Sequence, residues 1–282
     1  MDATLLSALK PKKAVKTVEG VSAILYGDPK VGKTTTLDDP NMKVLVFDLE
    51  GGTAVLSGSP NVDIVQIHSI EQLNAAGELL EKNQWIDENG KIVPFDYGLV
   101  AADSLTRLQD LVKDYVVRVV APSRQREKTD KKIDPIQRFG ARSDWGDFGQ
   151  IMKDVTKFFH NLTKRGEKSI NFMWLAHRDN KYENPMIESQ VTGTQIKMQG
   201  GSVAEVMSIV DSIFYMNKGE IKNNKTGETN MYYWIQTDRV GIEDAGVRQS
   251  KRDERLPVKI FNPVWSDIFE KLGYKVNRIN ER

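Results

Sequence analysis

The sequence predicts an α/β fold, a mostly parallel central sheet flanked by helices. Three observations predict it. Short apolar runs of strand length alternate with stretches of helical periodicity along the first half of the chain. Runs such as KVLVFDLE, YGLVAADS and INFMWLAH carry an acid or a histidine at or near their ends, where strands of an open parallel sheet deliver residues to the ligand edge. The first run, VSAILY over 21–26, passes directly into GDPKVGKTTT, which fits G-x-x-x-x-G-K-[ST].

At 282 residues with 39% hydrophobic content the chain can build a full core, and a net charge of +1 does not single out a polyanionic partner. A local basic stripe remains compatible with that balance. Absence of cysteine excludes disulfides and thiolate metal sites and fits a reducing compartment. The three histidines, at 68, 160 and 177, lack the spacing of a metalloprotease helix. MDATLLSALKPKK has no long apolar stretch, and no run reaches membrane-spanning length, so a cytoplasmic protein without membrane attachment is expected.

The elements follow in order. Residues 1–20 are lysine-rich and read as an arm or lead-in. Strands are expected at 21–26, 43–50, 62–67, 97–104 and 170–177. A helix carries Leu73, Ala76 and Leu80 on one face. Another carries Leu105, Leu108, Leu111 or Val112, Tyr115 and Val119, and a third Phe148, Ile151 or Met152, Val155, Phe158 or Phe159, and Leu162. Residues 121–146 and 178–200 read as long polar surface loops. VMSIVDSIFYMN (206–217) and NMYYWIQTD (230–238) read as late strands around a turn, extending the sheet in antiparallel fashion. NPVWSDIFEKLG reads as a closing helix with Pro263 in its first turn and Gly273 past its end. The expected organisation is a single domain over 21–273 and a C-terminal tail over 274–282.

Chemistry concentrates at the expected ligand edge. Gly27, Asp28, Pro29, Lys30, Val31, Gly32, Lys33, Thr34 and Thr35 form the phosphate loop. Its backbone N–H groups would curl toward an anion, and a helix beginning near Lys33 would add its dipole. Lys33 would span the terminal phosphates and Thr34 would place a hydroxyl on Mg²⁺. Asp103, closing YGLVAAD, would complete the metal site directly or through water. A water-activating acid is also needed. Glu50 is the first choice, beside Gly51 and Gly52, and Asp48 the alternative. His177 would sense the γ-phosphate and signal into 178–200, or else cap its strand through the backbone.

GDPKVGKT, VLVFDLE, LVAADSLTRL and FMWLAH together resemble the core of RecA-like P-loop ATPases. With DSLT, WGDFGQIMKDV and the strand ending in histidine, the chain resembles more narrowly the phage-encoded members related to single-strand annealing proteins. The resemblance spans roughly 20–272. It implies ATP and Mg²⁺ as ligands, Glu50 as general base, and His177 in place of a glutamine sensor. It implies a phage protein acting in the host cytoplasm, single-stranded DNA as partner, self-association into a ring or filament, and contact with a single-strand binding protein. The DNA-binding loops of the family correspond to 121–146 and 178–200. In the first, Arg124, Arg126, Lys131 and Lys132 would meet phosphates and Trp145 would stack a base. Arg248, Lys251, Arg252 and Arg255 resemble residues that reach a neighbour's ATP in trans. Compared with full RecA, no counterpart of its larger N-terminal oligomerisation domain is expected here, although residues 1–20 would still be able to hook a neighbour, so the resemblance puts DNA-stimulated hydrolysis ahead of strand exchange. Other readings are an ATPase of DNA packaging or helicase loading, and a nucleotide-gated scaffold. A small-molecule kinase fits less well, because Glu50 and the basic loop favour water over a metabolite acceptor.

Overall fold

The computed structural model describes residues 19–126, 139, 142–183, 190–199, 203–222, 229–248 and 255–279. In chain order the elements begin with β1 (Ser22–Gly27), a 3₁₀ turn (Thr34–Leu37), β2 (Val44–Asp48), a second 3₁₀ turn (Thr53–Leu56) and β3 (Val62–Gln66). Then come α1 (Ile70–Glu81), a small hairpin of β4 (Gln84–Ile86) and β5 (Ile92–Pro94), and β6 (Leu99–Asp103). Helix α2 (Leu105–Tyr115) runs through a π-type turn into α3 (Ala121–Arg126), followed by α4 (Arg142–Leu162) and β7 (Phe172–Tyr182). The chain continues with β8 (Val191–Ile196), α5 (Val203–Ile209), β9 (Ser212–Lys222), β10 (Thr229–Gln236), β11 (Gly246–Val247), β12 (Lys259–Phe261) and α6 (Trp265–Lys271).

The main sheet has the order β12-β10-β9-β1-β7-β6-β2-β3. All neighbours from β9 to β3 are parallel, and β10 and β12 add on in antiparallel fashion. This is the expected mostly parallel sheet flanked by helices. The P-loop strand β1 therefore lies two places from β6, with β7 between them. β1, β2 and β6 are fully buried, so they read as continuous apolar runs rather than alternating ones. Alternate residues still serve different layers. Ile24, Tyr26 and Trp174 join the core under α1, α2 and α4, whereas Leu25, Leu175 and Phe214 join the core under the phosphate-loop turn and α6.

Four expectations need correction. The stretch 206–217 is not one strand. Val203–Ile209 is helical, buries Val206, and lies against α4 before β9 starts at Ser212; short apolar runs carry no period that separates the two states. The stretch 178–200 is not an open loop at its ends, because β7 runs on to Tyr182 and pairs antiparallel with β8. Its polarity reflects an arm that leaves the sheet. The 121–146 segment is helical at both ends, in α3 and in the first turn of α4. Finally, the phosphate loop leads into a single 3₁₀ turn, not a long helix. Pro40 cannot continue an α-helix, and Asp39 is engaged by the backbone N–H groups of Asn41 and Ser266 and the Ser266 hydroxyl. One turn supplies little macrodipole, so the loop's own N–H groups carry the anion site.

Smaller adjustments fall at the end. Pro263 precedes the N-cap of α6 rather than entering its first turn, and Gly273 follows its C-cap with φ +86°. Residues 274–279 pack back onto the body, with Lys275 N–H on Glu19, Ile279 N–H on Asn41, and Arg278 paired with Asp267 and Glu270.

Candidate active site

Gly27 ends β1 between His177 of β7 and Met216 of β9. A Cβ at Gly27 would lie 2.4 Å from the Met216 carbonyl oxygen, so no larger residue fits the close strand packing. Gly32 has φ +98°, and a Cβ there would meet the Tyr233 ring at 2.9 Å. Lys30 also takes a positive φ of 60°. The loop thus takes a tight path that larger residues at 27 and 32 would not allow. Inside it Lys33 is only 7% exposed, and its ammonium donates to the carbonyls of Gly27 (3.0 Å) and Asp28 (2.9 Å). Burial pulls its pKa below the ordinary lysine value, opposed by Asp103, Glu50 and Asp28. A cation parked on its own loop's carbonyls fits a site meant for phosphate.

Thr34 donates its hydroxyl to Asp103 Oδ2 at 2.7 Å. Burial raises the Asp103 pKa, with Glu50 and Asp48 adding and the Thr34 bond and Lys33 opposing. No group of three or more His, Cys, Asp or Glu gathers among the described residues. A pair consisting of one hydroxyl and one carboxylate suits a cation that takes its remaining ligands from phosphate and water.

Glu50, two residues past β2, accepts hydrogen bonds on Oε1 from the Ser104 hydroxyl and from His177 Nε2, the latter at 3.2 Å. The His177 bond is the largest influence on its pKa; with Ser104 and Lys33 it outweighs desolvation and holds the carboxyl below the ordinary range. Because an ionised carboxylate only accepts, His177 carries its proton on Nε2. Its Nδ1 is buried and has no partner among the described residues.

Asp48 is differently placed. It is buried, and Oδ1 accepts from the backbone of Glu50 (3.1 Å), Gly51 (2.7 Å) and Gly52 (3.4 Å). Oδ2 accepts from Thr53 (2.7 Å) and Gln66 (2.8 Å). Desolvation works against its charge, yet these bonds leave its pKa lowered. Asp48 therefore folds the turn that presents Glu50.

Three neighbours were not singled out as site residues by the sequence reading. Ser104 is the N-cap of α2, accepting from Arg107 N–H, and the same hydroxyl donates to Glu50. The signal was present as a serine ahead of a helical run. Thr106 accepts the His177 backbone N–H at 2.9 Å. Arg178 reaches Asp28 of the loop at 3.3 Å and Tyr215 at 3.4 Å, and its Nε is buried without a partner among the described residues.

The structure does not gather the remaining candidates here. Arg248 lies at the opposite end of the sheet, with its backbone N–H on the Asp211 carbonyl and its guanidinium 3.7 Å from the Asp211 carboxylate, next to Ser22 at the start of β1. Arg255 is exposed, whereas Lys251 and Arg252 lie outside the described residues. Lys131, Lys132 and the side chains of Arg124 and Arg126 lie outside them too. Trp145 on α4 is 41% exposed and packs edge-on against Phe139 and Phe148.

A glycine-built phosphate cradle, a buried lysine and a Thr–Asp pair at the C-terminal edge of a parallel sheet define a P-loop nucleoside triphosphatase. A family model described as an AAA domain matches residues 19–239, and the chain belongs to that family of ATP-binding and ATP-hydrolysing proteins. No curated protein matches the chain. No helix among the described residues is long and apolar enough to cross a membrane.

Proposed function

We propose that the protein is a Mg²⁺-dependent ATPase whose turnover is coupled to single-stranded DNA, in recombination or annealing of the phage type. The observation that supports it most is the contiguous group Thr34–Asp103 and Ser104–Glu50–His177 beside the phosphate loop. Lys33 would leave the Gly27 and Asp28 carbonyls for the β- and γ-phosphates of ATP. Thr34 and Asp103 would hold Mg²⁺, which supplies charge neutralisation at the phosphoryl oxygens. Glu50 would take a proton from water on Oε2, the oxygen that neither Ser104 nor His177 occupies, as the water oxygen bonds to the γ-phosphorus and the bond to the ADP oxygen breaks. The hydrolysed γ-group leaves as phosphate. His177 would report the γ-phosphate into the β7–β8 arm, and the cations in 121–146 would meet DNA phosphates.

Steady-state ATP hydrolysis with and without single-stranded DNA tests this reading. A large stimulation supports it. Turnover indifferent to DNA would point to a packaging or loading ATPase, and binding without turnover to a nucleotide-gated scaffold.

A further inference from the structure

On β10, Tyr232 and Trp234 stand two residues apart and therefore on one face. Phe261 of β12 pairs in register with Trp234. The three rings form one triangular cluster, with centroids 5.3 Å apart for Tyr232–Trp234, 5.7 Å for Tyr232–Phe261 and 6.4 Å for Trp234–Phe261. Tyr232 lies over Gly219 of β9, where a Cβ would come within 2.7 Å of the ring, so a bare glycine floor seats it. Phe261 is 57% exposed, and Tyr232 and Trp234 are half-buried behind it.

The cluster's polar edge consists of unspent donors. Lys259 has its ammonium 5.5 Å above the Trp234 ring and forms no ion pair among the described residues. Trp234 Nε1 and Gln236 Nε2 are buried atoms without a hydrogen-bond partner there, and Gln236 as a whole is 4% exposed. A solvent-facing aromatic edge at Phe261, beside a lysine without an ion pair among the described residues, suits a ligand that is flat and anionic. Covering the same face with an apolar surface of a second copy would bury the Lys259 ammonium without a counter-charge.

We propose that this face of β10 and β12 binds single-stranded nucleic acid, with bases on Tyr232, Trp234 and Phe261 and backbone phosphate on Lys259. The proposal rests on the DNA-coupled reading and adds a contact outside the two polar loops. It also supplies a route to the nucleotide. Tyr233, between the two platform aromatics, points to the other side of β10 and meets Gly32 of the phosphate loop. A strand held by DNA on one face thus touches the ATP cradle with the other.

The test uses the full chain and a fluorescent oligothymidylate, read by anisotropy across a salt series. Phe261→Ala and Lys259→Gln alter exposed side chains and leave the core intact. Phe261→Ala is expected to weaken binding about tenfold with an unchanged salt slope, since stacking releases no counterion. Lys259→Gln is expected to lower the slope by about 0.7, one phosphate contact on a single strand. An oligonucleotide carrying 5-iodouracil should crosslink to Tyr232, Trp234 or Phe261. Equal binding by both variants, with crosslinks elsewhere, overturns the proposal while leaving DNA coupling standing. A fall in oligomer mass in the variants by light scattering also overturns it, because the face is then a contact between copies. No oligothymidylate binding by the unaltered chain removes both this site and the DNA-coupled reading.

Discussion

His177 Nε2 lies 3.2 Å from Glu50 Oε1, joining the middle of β7, the strand beside β1, to the acid that follows β2. The Ser104 hydroxyl bonds the same oxygen. Glu50 is thus oriented from two sides and kept ionised. Glu50→Gln is expected to retain nucleotide binding while turnover falls about 10²-fold or more, the range of a general base. Binding measured with a fluorescent ATP analogue and turnover measured separately check this.

Asp48→Asn should behave differently. Its carboxylate accepts from three backbone N–H groups, Thr53 and Gln66. An amide turns one acceptor into a donor facing donors, at a cost of about 1–3 kcal/mol. Denaturant unfolding should show that loss. A stably folded Asp48→Asn with abolished turnover, beside an active Glu50→Gln, would reverse the two roles.

The pH dependence separates the two carboxylates at the site. The Glu50 pKa is lowered, so its contribution to stability is present above the unfolded value and lost as pH falls through the folded one. Ser104→Ala removes one of the bonds that lower it and shifts the acid limb of kcat, at saturating Mg²⁺ and ATP, to higher pH. The N-cap loss costs about 1 kcal/mol as well. The Asp103 pKa is raised by burial, so its ionisation costs stability at neutral pH and that cost disappears as pH falls through its folded value. The Mg²⁺ concentration needed for half-maximal turnover should therefore climb on acidification before Glu50 protonates. A requirement for Mg²⁺ that stays flat down to ordinary carboxylate pH would remove Asp103 from the metal site.

Lys33→Ala removes a buried charge whose hydrogen bonds, among the described residues, go to loop carbonyls. Turnover should collapse while the melting temperature holds or rises, because a desolvation cost goes with the ammonium. Retained hydrolysis would reject the phosphate-loop assignment.

How much of this was legible in the sequence depended on the length scale of the signal. The phosphate loop, Asp103 and the strands β1, β2, β6 and β7 follow from local pattern, since buried parallel strands are apolar throughout and the loop spacing is rigid. Position along the strand favours Glu50 over Asp48, but the contacts that separate them are not legible, because they are made by Gln66 from the next strand and by Ser104 just past β6. Arg178 escaped for a similar reason, as its partners Asp28 and Tyr215 come from two other segments. The helical start of 203–209 was lost because its apolar residues run without a break into those of β9.

The basic stretch 121–146 gives two distinguishable outcomes. Lys131→Glu with Lys132→Glu should weaken single-stranded DNA binding and flatten its salt dependence, with little change in basal turnover. Trp145→Ala should weaken binding without changing the slope, and it should also lower stability modestly, since the ring packs on Phe139 and Phe148. Unchanged DNA binding in both would move the contact to the β7–β8 arm or to the β10–β12 face.

Trans action is tested by mixing subunits. Arg248 is tied to Asp211 at the edge of the sheet away from its own phosphate loop, so it cannot serve its own ATP. Arg255 is exposed. If self-association places one subunit's 248–255 segment over the neighbour's loop, an Arg255→Ala subunit still has an intact loop and a Lys33→Ala subunit still has an intact arginine. Mixing the two inactive forms then creates some interfaces with both parts, and turnover should reappear with a maximum near equal proportions. An arginine at this position in other phosphate-transfer enzymes contributes about 10³–10⁵-fold, so even a minority of restored interfaces is measurable. The same pairing with Arg252→Ala and Lys251→Ala locates the residue within the segment. Recovery in none of these mixtures, in a protein shown to be oligomeric by light scattering, would establish that each subunit's site is complete without its neighbour.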